Sequence, residues 1–429
     1  MKKKEIIANN SKNSKLTFEK FFIIFLYIQP LLDVTTGILL HFGYSITISS
    51  IVRLIFMAFC IFYLFFIIKN KTINIYLIFL ISYFILYTLT ILISKNVSVL
   101  NSEIKNLLST FYFVILLLTL AKTYENKKFN VKTLNILYVI YLFLVFVPNL
   151  LNLGFNSYSH SKVGSIGWFS SANTVGSVLS ILLPFIFVSL KKINIKIILL
   201  LIISSYTVFS IGTKVPVLSF IIVIFINMVY FIIFLLKNNK HRKLIISLLL
   251  ILIVLITASS TIIIKKTTFY KNLVIHINYL EKEGHGHIKA YRFLDHFIFS
   301  ERLTFQKRTR KIYNDSNTLE KLFGIGYMKK NVSNKPFYKT IEIDYFDVFY
   351  RHGLLGFLLF FLPVLYIIVE LIKKCKNVYT DPKKLNIFIS ILLIFSLALF
   401  QGHIFVTPQI SIYAALILSL SYNNSFNYN

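Results

Sequence analysis

Uninterrupted apolar runs of around 20 residues recur along this chain between residues 21 and 421. Each run is long enough to cross the ~30 Å hydrocarbon layer of a bilayer as a helix. Because lipid offers no hydrogen-bond partner to a backbone, a spanning segment must be a helix or a strand of a closed barrel. The runs are continuous rather than alternating, which favours helices. The sequence therefore predicts an all-α polytopic membrane protein.

Twelve such segments are predicted, in two blocks separated by a long polar loop. Residues 1–263 contain nine spans, residues 264–347 form the loop, and residues 348–429 contain three spans. A composition that is 56% hydrophobic excludes a soluble globular protein. The predicted spans are 21–40, 49–68, 73–93, 107–121, 134–153, 171–190, 195–212, 215–236, 244–263, 348–372, 385–402 and 405–421.

Basic residues are distributed unevenly over the segments between these spans. The N-terminal tail and the loops on its side carry 24 Lys and Arg, whereas the short loops on the other side carry four. Lys and Arg accumulate in cytoplasmic loops, and long loops are exempt from this rule. We therefore expect both termini in the cytoplasm and residues 264–347 outside. The net charge of +30 then reflects topology rather than nucleic-acid binding. The lysine-rich tail, with no small-residue cleavage pattern, indicates a retained first helix.

Asp33 and Arg53 are charged residues within predicted spans, where an ionised side chain costs about 2.5–3.5 kcal/mol to insert. Asp33 is in the middle of the first span, and Arg53 is near the outer end of the second. Either the two form a pair (or Arg53 reaches the outer interface), or both line a cavity that opens outward.

Three further candidates lie at predicted outer turns. Trp168, the only tryptophan, is either an interfacial anchor or a ring that stacks on a sugar. Asn173 closes a Gly-, Ser- and Asn-rich turn that opens the sixth span. Lys214 lies on the tight turn between spans seven and eight, and is either solvated or a cation that binds phosphate.

The long loop holds sixteen Lys and Arg between residues 264 and 344. In the basic segment 300–311 most cations are expected to be solvated, but Arg302 directly follows the apolar run 297–299, which could lie on the membrane surface. Glu342, Asp344 and Asp347 precede the tenth span, either as an N-terminal cap or as a base at the outer face. Residues two apart on a helix face opposite directions, so only one of Glu342 and Asp344 could face a site there.

Cofactor signatures are absent from the sequence. The loop histidines His276, His285, His287 and His296 have no zinc-type spacing, and no phosphate-binding or dinucleotide fingerprint occurs. We expect no metal and no cofactor.

The ordered set of these motifs resembles the bacterial O-antigen ligase and polymerase superfamily of multi-span glycosyltransferases. Residues 167–176 are similar to its glycine-and-asparagine turn, and residues 212–214 stand where it has a short serine-arginine turn. Arg302 stands where the family has an arginine in its large outer loop. Residues 322–326 are similar to its glycine turn, and residues 353–356 to the start of the helix that follows.

Two positions depart from the family pattern. Lys214 replaces an arginine, which keeps the charge but loses bidentate phosphate geometry. Glu342, eleven residues before Gly353, replaces a histidine; a carboxylate can also act as a base.

The resemblance implies transfer of a glycan from undecaprenyl diphosphate to an acceptor at the outer face of the bacterial cytoplasmic membrane. It implies that Arg302, Lys214 and Arg53 stabilise the diphosphate, that Glu342 or Asp344 is the base, and that no metal takes part. The acceptor is a second carrier-linked glycan in a polymerase, and a lipid or protein in a ligase; both remain open. The alternative is a flippase for lipid-linked sugars, which predicts functional charges at mid-membrane and two related halves.

Overall fold

A computed structural model describes residues 2–95, 97–127, 129–158, 163–189, 195–238, 265–282, 295, 299–328, 341–374 and 378–422. Side chains of the first helix are described from Phe18 onward. The described residues form helices and connecting turns without a β-strand; one isolated antiparallel bridge joins Asn156 and Ser165.

The α-helices of the described part are numbered here in chain order. A π-helical segment, Tyr63–Ile68, continues α2, and a 3₁₀ segment, Leu183–Ser189, continues α6. The helices are α1 (Lys2–His41), α2 (Ile48–Phe62), α3 (Lys71–Ser94), α4 (Leu100–Tyr124), α5 (Lys132–Leu150), α6 (Ala172–Leu182), α7 (Ile195–Ile211), α8 (Lys214–Asn238), α9 (Thr268–Lys282), α10 (Arg302–Asn314), α11 (Thr318–Phe323), α12 (Asp344–Lys374), α13 (Pro382–Phe400) and α14 (Pro408–Tyr422).

Within the described residues, eight helical segments are long and apolar enough to cross a membrane, and three shorter apolar helices accompany them. These eleven correspond to eleven of the twelve predicted spans. The remaining prediction, residues 244–263, lies outside the described residues. The prediction of an all-α polytopic membrane protein is confirmed.

The bundle is organised around α4 and α14. α14 packs along α4, and α4 also contacts α2, α3 and α12. Residues 410–421 of α14 are almost completely buried, whereas Ile93 and Phe79 of α3 are more than half exposed. Apolar side chains on such an outer face are stable in lipid, because lipid is as apolar as they are.

The last two spans are separated by more irregular chain than expected. α13 ends at Phe400 and α14 begins at Pro408, whereas the sequence predicts a break of only two residues. The Asp344 carboxylate accepts hydrogen bonds from the backbone N–H groups of His403, Ile404 and Phe405 at 2.6–2.8 Å. Because a carboxylate satisfies these donors, the segment does not need helical hydrogen bonds inside the bundle.

Helices of the long loop pack on one end of the bundle. The Asn272 side chain of α9 bonds both to Val163 and to the carbonyl of Gly212, between α7 and α8. α11 packs on α3 and α12. α10 begins at Arg302 and contacts α11 and α12. The described part of the loop therefore forms a polar layer over the end where α8, α12 and α14 begin.

Candidate functional site

Three ionisable side chains meet where this layer contacts the bundle. Arg302 Nη2 lies 2.9 Å from Glu342 Oε2, and His403 Nε2 lies 3.9 Å from Glu342 Oε1. The first contact is a charge-assisted hydrogen bond, and the second is an ion-pair contact. The side chains of Arg302, Glu342 and His403 are 8%, 18% and 29% exposed. The cluster is thus half-buried, which strengthens its electrostatics while leaving His403 accessible.

Arg302 is held at the first position of α10. Ser300 and Glu301 before it have left-handed backbone conformations, which turn the chain sharply into the helix. The Asp295 carboxylate accepts hydrogen bonds from the backbone N–H groups of Leu303 and Thr304, two of the unpaired donors at the start of α10. Arg302 Nη1 also donates to the carbonyl of Phe400 at 2.7 Å. The guanidinium therefore joins the loop to the end of α13.

Glu342 is held by a carboxylate five residues further along the chain. Asp347 accepts hydrogen bonds from the backbone N–H groups of Ile341 and Glu342, at 3.1 and 2.9 Å. Glu342 itself has a φ of 62° and precedes α12. Since it lies before the helix, the rule of opposite faces does not apply, and both Glu342 and Asp344 contact the 401–405 segment.

The charges around Glu342 and His403 shift the pKa values of these two residues in opposite directions. Burial by itself would raise the pKa of Glu342, but the neighbouring His403 and Arg302 outweigh burial and lower this pKa to about 2. Burial would lower the pKa of His403, but Glu342, Asp344 and Asp347 outweigh it and raise this pKa above the ordinary value of 6.5. Each shift is the expected effect of an opposite charge at close range.

Gln401 connects this cluster to the start of α6. Its side-chain amide donates to the carbonyl of Asn173 at 2.9 Å, and its Oε1 accepts from the Ser177 hydroxyl at 3.0 Å. Ser171 caps α6 by accepting from the N–H of Thr174. Residues 401–403 thus place Asn173, which the sequence singles out only by its turn, at the same end of the bundle as Glu342.

Trp168 and Lys214 lie at this end as well. Trp168 is half-buried, and its Nε1 donates to the carbonyl of Leu153 at 3.1 Å. Lys214 is the first residue of α8 and is half-buried. α8 packs on α6, with Pro216 against Gly176. The predicted roles of Trp168, Asn173 and Lys214 in substrate binding stay predictions.

Arg53 and Asp33 form a buried pair between α1 and α2. Arg53 Nη2 lies 2.5 Å from Asp33 Oδ1, and both side chains are 2% exposed. Gln29 accepts from Arg53 Nε, and Asp33 also accepts from Tyr141 and Gln409. This is the first alternative raised by the sequence, a pair, and it favours a structural role. A role of Arg53 in binding stays a prediction.

A second buried polar cluster anchors the glycine turn after α11. The Glu103 carboxylate of α4 accepts from Lys95 Nζ at 2.7 Å, from the Tyr87 hydroxyl, and from the backbone N–H groups of Tyr327 and Met328. Arg351 Nη1 donates to the carbonyl of Gly326 at 2.9 Å. This cluster positions the turn against α4 and α12.

The sequence did not single out His403 or Glu103. His403 lies in the break between the last two predicted spans. A titratable residue at the end of a span is a signal that could have identified it. Glu103 precedes the predicted fourth span, and nothing in its local pattern marks it. Among the described residues no cluster of three or more His, Cys, Asp or Glu could hold a metal. Of the four loop histidines, His285, His287 and His296 lie outside the described residues, as does the side chain of His276.

Comparison with known proteins shows the family to which the chain belongs. No curated protein matches it. A sequence profile described as "O-antigen ligase like membrane protein" matches residues 15–291 and 292–422, nearly the whole chain. The match covers the helices that carry the candidate site and the loop between them. On this evidence the chain belongs to the O-antigen ligase-like family of membrane proteins.

Proposed function

We propose that this protein transfers a glycan from undecaprenyl diphosphate to an acceptor at the outer face of the bacterial cytoplasmic membrane, during synthesis of a surface polysaccharide. The observation that carries the proposal is the cluster of Arg302, Glu342 and His403 at the loop-covered end of the bundle. Family membership supports a membrane glycosyltransferase. Transfer at the outer face requires the long loop to be outside, and both termini are then cytoplasmic.

The proposed reaction is a single displacement with inversion. The acceptor hydroxyl oxygen attacks the anomeric carbon, the bond from that carbon to the diphosphate oxygen breaks, and the hydroxyl proton passes to a base. Negative charge develops on the departing diphosphate, and fixed cations stabilise that charge most in a half-buried site. Arg302 is the first candidate, with Lys214 as the second cation at the same end.

The carboxylates of Asp344 and Glu342 differ in the groups that they contact. Both oxygens of Asp344 accept backbone N–H groups, and Asp344 is fully buried. Glu342 is partly exposed, and its carboxylate contacts the side chains of Arg302 and His403. These contacts favour Glu342 over Asp344 as the carboxylate that takes part in proton transfer.

Polymerase and ligase share this chemistry and differ in the acceptor. The polymerase extends a second carrier-linked glycan, whereas the ligase attaches the finished glycan to a lipid or protein. A flippase for lipid-linked sugars is the alternative. Its best support was the mid-membrane Asp33, which is neutralised here by Arg53.

The proposal is tested by complementing a deletion strain and measuring the length and attachment of the surface glycan on gels. Arg302→Ala is compared with Arg308→Ala, which removes the same charge from an exposed position of α10. We expect Arg308→Ala to restore the glycan and Arg302→Ala to fail at equal expression. Single repeat units left on the carrier indicate a polymerase, and full-length chains left on the carrier indicate a ligase.

Two outcomes would contradict the proposal. Full complementation by Arg302→Ala would remove Arg302 from the site. Accumulation of carrier-linked units at the cytoplasmic face of the deletion strain would identify a flippase instead.

A further inference from the structure

The backbone around Glu342 and His403 is arranged to bring these two side chains together. Glu342, Gly402 and His403 all have left-handed φ angles, of 62°, 67° and 64°. For residues other than glycine this conformation costs about 1–2 kcal/mol. Two non-glycine residues in this conformation, facing each other, indicate a geometry that is maintained against its local cost.

The backbone segments at Glu342 and Gly402 are packed too closely for a side chain at Gly402. A Cβ on Gly402 would overlap the carbonyl group of Glu342, so only glycine allows the approach. Asp344 holds the backbone of residues 403–405, and Asp347 holds the backbone of Ile341 and Glu342. Two carboxylates of α12 therefore fix both partners of the pair.

Glu342 on its own is poorly suited to accept a proton. A general base works best when its pKa is near the working pH. Burial would raise the pKa of Glu342, but His403 and Arg302 outweigh burial and lower this pKa to about 2. That value is far from neutrality. Histidine has an ordinary pKa of about 6.5, and at His403 the neighbouring carboxylates outweigh burial and raise it.

We infer that His403, oriented by Glu342, accepts the proton of the acceptor hydroxyl, an inference that rests on the proposed function. The O–H bond breaks and its proton passes to the ring nitrogen that does not face Glu342. The oxygen forms its bond to the anomeric carbon, and the carbon–diphosphate bond breaks with its electron pair on the phosphate oxygen. The imidazolium later releases the proton to water.

This assignment gives Glu342 a different task from the one the sequence suggested. With Nε2 of His403 turned towards Glu342 Oε1, the carboxylate orients the ring and stabilises the imidazolium that forms. The His403 side chain is 29% exposed, so an acceptor can reach the ring. The position that holds a histidine in the family then holds its carboxylate partner, and the imidazole comes from the turn before α14.

The pH dependence follows from the charges around His403. Glu342, Asp344 and Asp347 all favour its protonated form, and Arg302 lies on the far side of Glu342. A base must be deprotonated to act, so the transfer rate should rise with pH through the pKa of His403. Removing the Glu342 charge should lower that pKa and move the rise to lower pH.

The test uses full-length protein in proteoliposomes with carrier-linked oligosaccharide extracted from the deletion strain. Initial rates of glycan transfer are measured from about pH 5.5 to about pH 9. His403→Gln is compared with His41→Gln, a histidine at the end of α1 whose ring packs on Phe155. We expect His403→Gln to lose at least about 100-fold in rate and to lose the rise with pH, while His41→Gln keeps the wild-type profile.

Glu342→Gln provides the second measurement. We expect a slower rate and a rise displaced to lower pH, an effect that a purely structural role of Glu342 would not produce. If His403→Gln does not fold, by thermal unfolding in detergent, this displacement decides the question. A wild-type rate in His403→Gln, or an unmoved rise in Glu342→Gln, would overturn the role of His403 while leaving the transferase intact. Absence of transfer by the wild-type protein would overturn the proposed function itself.

Discussion

Acidic side chains at the loop-covered end of this protein serve mainly as acceptors for backbone N–H groups. Glu103, Asp344 and Asp347 each accept from two or more backbone donors of irregular segments, and Asp295 accepts from two donors at the start of α10. Backbone N–H groups are costly to bury without a hydrogen-bond partner. In a membrane protein a carboxylate at a helix end is therefore a weak signal for catalysis. Glu342 differs from these four because the described contacts of its carboxylate are with the side chains of Arg302 and His403 rather than with backbone donors.

The Asp33–Arg53 pair allows a residue-scale prediction. Arg53→Met leaves a buried uncompensated carboxylate and should destabilise the protein by about 3–5 kcal/mol. Adding Asp33→Asn removes that charge and keeps an acceptor for Tyr141 and Gln409, so the double variant should recover on the order of 2 kcal/mol. Thermal unfolding of the detergent-solubilised protein measures both changes. Wild-type stability of Arg53→Met would contradict a structural pair, and a stable double variant without transfer activity would support a binding role.

Among the elements, the junction between α11 and α12 depends most on individual glycines. The N–H groups of Ile325 and Gly326 donate to the carbonyls of Tyr350 and Arg351, so the turn runs along the first half of α12. α12 is interrupted at Gly353, which has a φ of 68°. A break at this point lets α12 begin under the loop and continue as a membrane span.

Gly353→Ala tests this junction against a matched control. Gly43 also has a positive φ, of 85°, but open space around its Cβ position, so Gly43→Ala should cost only about 1–2 kcal/mol. A Cβ at Gly353 would lie 2.5 Å from the Leu322 carbonyl oxygen, so Gly353→Ala should cost about 1–3 kcal/mol more. Thermal unfolding compares the two. Equal losses would show that the close approach at Gly353 is unimportant.

At the scale of the whole molecule, the chain forms a lipid-facing helix bundle with a polar layer at one end. The bundle buries α4 and α14 at its centre, and the layer contains α9, α10 and α11. Charged side chains are cheap at the membrane surface and expensive in its interior. The candidate cluster therefore lies where ionic chemistry and a lipid carrier can meet.

Accessibility to labelling tests which side of the membrane carries this layer. Leu319 of α11 and Tyr379, between α12 and α13, are 45% and 71% exposed. In a background with Cys60 and Cys375 replaced by Ser, an impermeant maleimide should label Leu319→Cys in intact cells. It should label Tyr379→Cys only after the cells are broken. The opposite pattern would reverse the proposed orientation.

The sequence by itself determined the membrane class, because apolar runs of spanning length leave the backbone no alternative to helices. It also placed Arg302 and Glu342 in the loop and at its end. It could not pair them, since a contact across 40 residues depends on packing rather than on periodicity. Tertiary structure alone brought His403 to Glu342, because Asp344 holds residues 403–405 in an irregular turn where hydropathy predicted almost continuous helix.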